Sequence, residues 1–360
     1  MSGARGAATA GNPNASTRGR RISSREGLWN GCGSCREHRF LNTKLSNHTT
    51  SRLLARRNKL VITGADDEYG RLIIEKLLQQ LPPCSIILVA DKSTAILDVF
   101  AARGCVVHCC GASSREDELA VAFAGGHSLL LIPDSSGSRV EKQLGAISAA
   151  VMADIEHPIF ISIIGPGRYS PSATVARESK AIEHRLQSEA LHWTILRDSQ
   201  YSEAISDAAG PRALDMRTCV CNIGEGRVGF VCREDSTACT AAVLKDPEPH
   251  RQRIYHLTGS ELLSIREALD MIEDLERLES GAISYPKVSA LADFLETFGI
   301  PRQRDLPGSE YRGLSNIADL VSLGRACRLG ETAMTTGDVE SLIGHAKHTK
   351  GVLVSSFLEK

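Results

Sequence analysis

The sequence has no apolar run long enough to cross a bilayer. Its longest, "HSLLLIP" at 127–133, is the length of a strand. It also lacks an excess of charge. There are 42 Lys and Arg against 43 Asp and Glu, a net of −1, so no global field points to nucleic acid or to a membrane surface. A disulfide framework is missing too. The 11 cysteines, an odd number, fall at no regular spacing, which in a chain of 360 residues indicates reduced thiols in an intracellular compartment. No period of about 20–50 residues repeats, which excludes solenoids and propellers.

Acids are nearly absent from the start of the chain, where Glu26 and Glu37 are alone among many Lys and Arg, Ser, Gly, Asn and Thr. Such composition cannot offset the entropy of ordering, so residues 1–57 read as a basic, largely disordered extension. The other reading is an organelle transit segment, Arg-rich and acid-poor and ending in "SRLLARRNKL". The expected location is therefore cytoplasmic, with mitochondrial as the alternative. Cys32, Cys35, His38 and His48 match no common zinc-finger spacing and read as chance clustering, so no metal is expected.

From Lys59 onward, apolar runs and amphipathic stretches alternate. Strands are predicted at 59–63, 85–90, 105–109, 128–133, 158–164 and 192–197. Helices are predicted at 68–81, about 93–103, 115–125, 138–154 and 174–189. Pro82-Pro83 breaks the first helix, and Gly104 caps the second. "SLLLIP" is apolar throughout, as expected of a strand covered on both faces. Six strands in βαβ alternation predict an α/β fold with a doubly wound parallel sheet, Rossmann-like, over residues 58–200. Beyond it, helices at 233–246 and 264–278 and a strand at 253–259 predict a smaller mixed lobe, 201–360. That lobe would lie over the carboxyl ends of the strands, where ligands of such sheets bind.

The first crossover, Val61-Ile-Thr-Gly-Ala-Asp-Asp-Glu-Tyr-Gly70, contradicts itself. A strand runs into Gly64 and a helix opens near Gly70, the setting for a pyrophosphate, yet Asp66, Asp67 and Glu68 occupy the turn. Two unit charges about 5 Å apart at an effective dielectric near 20 repel by roughly 3 kcal/mol, which would weaken an anion strongly. Alternatively the acids cap the helix, each cap being worth about 1 kcal/mol.

The run "VITGADDEYGRLIIEKLL", then "DELAVAFAGGHSLLLIP", "RVEKQLGAISAAVMADIEHPIFISIIG", "SPSATVARESKAIEHRLQSEALHWTILRDSQYSE", "GRVGFVCREDSTACTAAVL" and "YHLTGSELLSIREAL" resembles the atypical short-chain dehydrogenase/reductases. That group includes NmrA-like proteins, quinone oxidoreductase type 2 and triphenylmethane reductase. The likeness covers roughly 59–360. It implies NADP or NAD as cofactor, held by Gly64, Ala65, Asp67, Tyr69, Gly70, Asp91, Lys92, Pro133 and Ser162. The family's middle glycine is Asp67 here. Its Arg for a 2′-phosphate is replaced by "VADK", in which Asp91 would accept from a ribose 2′-hydroxyl or Lys92 would meet a 2′-phosphate. Both residues read equally as a solvated strand end. Its Gly-Asp near adenine is Gly111-Ala112, and its small polar residues under the nicotinamide give way to Ile132-Pro133-Asp134-Ser135.

No Tyr-x-x-x-Lys pair is present, since Tyr169 and Lys180 lie too far apart. Candidate catalytic residues are Ser162, at the end of the fifth strand, Lys180, next to the position where relatives have His, and Tyr201, beside Ser199 in the passage after the sixth strand. Arg197 is expected to pair with a carboxylate near the sheet's end. Arg233 and Asp235, a family R-x-D, are expected to cap a helix and tie the two lobes. Cys219-x-Cys221 reads as incidental. Two functions remain open on the resemblance: an NAD(P)H-dependent reductase of quinone- or azo-like acceptors, and a non-catalytic dinucleotide-sensing regulator with a degenerate site. The first takes a small-molecule acceptor, the second a protein partner. A non-redox step of specialised metabolism in the same pocket is a further alternative.

Overall fold

The structure is a computed structural model that describes residues 59–110, 115–133, 138–165, 172–208, 223–275, 293, 296 and 317–358. The extension 1–57, Gly111, Ala112, Asp134, Ser135, Tyr169, Cys219 and Cys221 lie outside the described residues. Everything described belongs to one compact unit, Arg52–Lys360.

The alternation read from the sequence is present. Strands β1 (Lys59–Thr63), β2 (Ile86–Ala90), β3 (Val106–Cys109), β4 (Gly126–Leu131), β5 (His157–Ile163) and β6 (Thr194–Asp198) are separated by helices α1 (Glu68–Leu78), α2 (Ala95–Ala102), α3 (Glu116–Phe123), α4 (Arg139–Met152) and α5 (Thr174–Ser188). Then follow α6 (Ser202–Ala208), β7 (Arg227–Val228), α7 (Arg233–Lys245), β8 (Arg253–Leu257), β9 (Leu263–Ser264) and α8 (Ile265–Leu275). The last described helices are α9 (Ile317–Arg328), α10 (Asp338–Ile343) and α11 (Thr349–Leu358). Asp67 opens α1 as its N-cap, and α1 stops at Leu78, ahead of Pro82-Pro83. Gly104 takes φ +103 directly after the C-cap of α2, a conformation that glycine adopts without strain.

The main sheet has 7 strands in the order β3-β2-β1-β4-β5-β6-β8, and every pairing in it is parallel. Here the structure differs from the sequence-based expectation. The stretch at 253–259, grouped with the smaller lobe, supplies β8, which pairs with β6 through Leu196↔Tyr255 and Asp198↔Leu257. A second sheet has only β7 and β9, antiparallel.

Alternation along the strands splits the core in two. Leu60, Ile62, Leu88, Leu130 and Leu196 face α1 and α7, packing on Ile73, Ile74, Leu77, Val243 and Leu244. Val61, Ile87, Leu129, Phe160 and Ile195 face the other way, onto Phe123, Ala146, Ile147, Ile182 and Leu186 of α3, α4 and α5. Each fully buried Ile or Leu of α1 contributes about 2 kcal/mol, so this packing outweighs the helix's own propensity. The strand order reverses between β1 and β4, and crossovers leave that point in opposite directions. A crevice at the carboxyl ends of β1 and β4 is the consequence.

Helix α9 is fastened beside this edge. Arg139, the first residue of α4, donates to Glu178 on α5 at 2.5 Å and to Asp319 on α9 at 3.0 Å. Ser322 of α9 accepts from the Thr174 amide at 3.2 Å, and Leu323 and Ala326 pack on Ala173 and Ala176.

Candidate functional site

The β1–α1 turn keeps the two glycines that matter sterically. Gly64 sits at φ +65, and a Cβ on Gly70 would lie 2.3 Å from the Gly64 carbonyl oxygen. The helix therefore starts against the turn, and only a residue without a side chain fits at 70. Ala65 is fully buried beneath the turn. The floor is set by Thr63, whose Oγ1 donates to the Leu130 carbonyl (3.0 Å) and accepts from the Ile132 amide (3.2 Å). Pro133 follows, half-buried, at the end of the described part of that edge.

The three acids of the turn have separate roles. Asp67 is exposed, and its Oδ1 accepts from the Tyr69 amide at 2.8 Å, a helix cap that occupies one of the donors an anion would use. Glu68 reaches the Arg233 guanidinium at 3.3 Å. Asp66 is half-buried. Burial, then the charges of Asp91 and Asp67, push its carboxyl above the usual range, while its own backbone and Lys92 pull the other way. Asp91 and Lys92 are both exposed at the end of β2, and Asp91 pairs with Lys142 of α4 at 3.1 Å. The solvated-strand-end reading of these two and the ribose reading are both compatible with that placement.

Tyr69 points away from the turn. Its hydroxyl is 2.6 Å from Ser236 Oγ and 3.1 Å from Thr240 Oγ1 on α7. Its ring stacks on Tyr201, centroids 6.0 Å apart. Tyr201 donates to Asp198 Oδ2 at 2.5 Å, and Ser236 donates to both Asp198 oxygens at 2.8 and 2.9 Å. Asp198 ends β6 and is buried, and burial raises its carboxyl to about 6 against the hydrogen bonds that lower it. Burial and the Asp198 charge raise both phenols well above their ordinary value.

Ser162 is buried and donates to Glu183 Oε1 at 2.6 Å. Glu183 also takes two bonds from Arg197, at 2.9 and 2.6 Å, so Arg197 pairs with a carboxylate as its sequence context implied. Arg197 Nη1 lies 3.2 Å from His256 Nε2. A guanidinium only donates, so that nitrogen accepts and the neutral ring carries its proton on Nδ1. Lys180 is half-buried on α5, one turn from Ala176 and next to the buried Ser179.

The structure thus brings Tyr69 and Tyr201 together through two residues the sequence did not single out, Asp198 and Ser236. It keeps Ser162 on a separate network with Glu183 and Arg197. The signal for both networks was the strand "TILRD", which ends in Arg-Asp, because charges ending a buried strand need partners. Arg233 and Asp235 each have a structural role. The Arg233 amide donates to Glu203 at 2.9 Å, and Asp235 Oδ2 accepts from the Lys347 amide at 2.6 Å. Among the described residues no His, Cys, Asp or Glu group could hold a metal ion, and no helix is long and apolar enough to cross a membrane.

No family model matches the chain. It is 27% identical over 248 residues to Quinone oxidoreductase 2 of Escherichia coli (strain K12), which covers 67% of this chain and 82% of that protein. The crystal structure of the E. coli NADPH-dependent quinone oxidoreductase complexed with NADPH superposes with a TM-score of 0.71 at 23% identity, over 83% of this chain and 99% of that one. Citrobacter sp. triphenylmethane reductase complexed with NADP(H) gives 0.71 at 20% identity with the same coverage. The chain resembles the NmrA-like, atypical short-chain dehydrogenase/reductases in sequence and in fold. NmrA itself, a negative transcriptional regulator solved in complex with NAD, matches at TM-score 0.62 and 13% identity over 84% of this chain and 96% of that one, a likeness of fold alone.

Proposed function

We propose that this protein is an NAD(P)H-dependent reductase of quinone-like conjugated acceptors. The observation that carries the reading is the β1–α1 turn. Gly70 packs so closely on the Gly64 carbonyl that a Cβ would leave only 2.3 Å, the close approach of helix and turn that a dinucleotide cradle requires. The turn fits the group, with Asp67 as the one residue that must give way. Its cap on the Tyr69 amide is an exposed contact worth about 1 kcal/mol, a modest cost against the binding of a whole dinucleotide. The 27% identity to Quinone oxidoreductase 2 of Escherichia coli supports the choice of acceptor class.

In this reading Gly64, Ala65 and Gly70 admit the pyrophosphate, Asp91 and Lys92 flank the adenosine ribose, and Pro133 and Ser162 lie toward the nicotinamide. When bound, reduced nicotinamide supplies a hydride to an acceptor held against it. Ser162 and Tyr201 spend their hydroxyl hydrogens on Glu183 and Asp198. Their part is to hold the floor of the cleft rigid, and the acceptor's proton comes from water. Positioning is then the main catalytic contribution. The place of action is the cytoplasm.

A second reading, a dinucleotide-sensing regulator, is favoured by one observation: Asp67 fills an anion donor with the protein's own carboxylate. Titration of the full chain with NADH and NADPH, followed by nicotinamide oxidation with p-benzoquinone, separates the two. Binding with turnover supports the reductase. Binding without turnover supports the regulator. Loss of binding in the wild type together with an Asp67→Gly variant would end both.

A further inference from the structure

Arg233 begins α7, yet its guanidinium points back to the first turn of α1. Its central carbon lies 5.4 Å from the Tyr201 ring centroid, and its Nη1 is 3.3 Å from Glu68 Oε1. Three contacts fix where the head can go. The Arg233 amide is held by both oxygens of Glu203, at 2.9 and 3.1 Å. The Tyr201 ring under the guanidinium is anchored on Asp198. Behind Tyr201 lies Tyr69, itself tied to Ser236. The base and platform of Arg233 are therefore built in, while its outer partner is loose.

That looseness is measurable within the same molecule. Arg227 grips Glu267 through one nitrogen at 2.6 and 2.7 Å, and Arg103 holds Glu75 with two bonds at 2.8 Å. Arg233 makes a single bond of 3.3 Å to Glu68, longer than a charge-assisted bond normally is, though its side chain is only 16% exposed. A largely buried guanidinium with one long bond keeps most of its donors unused among the described residues. Glu68 is the first residue of α1, so the unused donors stand where that helix presents its free amides.

We propose that Arg233 is a phosphate clamp held in reserve by Glu68. As a dinucleotide seats on the first turn of α1, Arg233 exchanges the Glu68 carboxylate for a pyrophosphate oxygen. This rests on the dinucleotide reading of the cleft and adds to it a cation from α7, which packs beside α1 on the same face of the sheet. It also gives the acid at 68 a role: Glu68 keeps the guanidinium extended over Tyr201, at the expense of competing with the ligand.

The test is calorimetric titration of the full chain with ADP and with adenosine, which differ in the diphosphate alone. Glu68→Gln, a change at a side chain 40% exposed, is expected to fold normally and to bind ADP several-fold more tightly. Arg233→Met is expected to bind ADP on the order of tenfold more weakly, the worth of one charge-assisted bond. Adenosine affinity should stay as in the wild type in both, which also reports an intact fold. In the double variant most of the gain from Glu68→Gln should vanish, because it acts by freeing Arg233. A gain that persists without Arg233 would mean simple charge repulsion and would overturn the clamp. So would unchanged ADP affinity in Arg233→Met. Failure of every form, wild type included, to bind ADP, NADH or NADPH would bring down the dinucleotide reading and the clamp together. Binding of NADH with no effect at 68 or 233 would remove the clamp alone.

Discussion

Asp198 is a buried carboxyl at the end of β6, and its effect on stability has a sign that can be checked. The carboxyl is 5% exposed, and burial dominates its environment, lifting it from 3.8 to about 6 despite hydrogen bonds from Tyr201, Ser236 and Tyr69. A raised acid binds its proton more tightly in the native state than in the unfolded one. Between 3.8 and about 6 the native protein holds a proton that the unfolded chain has released, so this group's contribution to stability falls as pH rises through that window. A shift of about two units corresponds to about 3 kcal/mol, fully present below 3.8 and lost above about 6. Asp198→Asn keeps the shape and one acceptor oxygen but cannot titrate. Urea unfolding of both proteins at either end of the window should show the variant gaining about 3 kcal/mol on the wild type as pH rises. A difference that stays constant to within about 0.5 kcal/mol would mean that Asp198 does not change protonation there, and that its hydrogen bonds offset burial completely.

His157 should act in the opposite direction. Thr194 Oγ1 donates to the His250 carbonyl and so accepts from His157 Nε2, leaving the buried Nδ1 without a partner among the described residues. Burial first, then Arg251 and the neighbouring histidines, lower its pKa to about 3 from 6.5, so its contribution is complete above 6.5 and is lost as pH falls toward 3. His157→Gln, followed by thermal melting across that range, should flatten part of the acid limb; an unchanged limb would refute the assignment. Gly70→Ala places a methyl 2.3 Å from the Gly64 oxygen and should cost on the order of 2–4 kcal/mol while weakening NADH binding. A variant of wild-type stability would show that the turn opens freely.

Much of the sheet was legible because β1 to β6 are apolar runs bounded by helical periodicity, a local property. The place of β8 was not. "RIYHL" is an edge strand with only Leu257 buried, and whether such a strand joins the main sheet depends on β6, far away in the chain. The site divides in the same way. Gly64 and Gly70 announce a turn within seven residues of sequence. The Ser236–Asp198 bond links residues 38 apart and Arg139–Asp319 links residues 180 apart, and no local pattern names such partners. The need for a partner was readable, as Arg197 shows; its identity, Glu183, was not. The competing uses of Asp66, Asp67 and Glu68 were also undecidable from spacing, since capping, pairing and partial burial depend on where each side chain turns.

Those separate uses change how the charge of the turn bears on the cofactor. Asp67 is engaged with an amide, Glu68 with Arg233 and Asp91 with Lys142. On the proposed reading a pyrophosphate would exchange partners with Asp67 and Glu68 rather than meet bare charges. A 2′-phosphate has no such exchange available at Asp66. That carboxyl is half-buried, already raised by burial and by Asp91 and Asp67, and offset by its own backbone and by Lys92. Adding a further dianion beside it costs on the order of 1–3 kcal/mol at an effective dielectric near 20, whereas a 2′-hydroxyl can donate to Asp91. NADH should accordingly bind roughly tenfold or more tightly than NADPH, and Asp66→Asn should narrow the gap. Tighter binding of NADPH by the wild type would show that Lys92 and Lys142 govern the ribose end, and that the carboxylates there face solvent rather than the ligand.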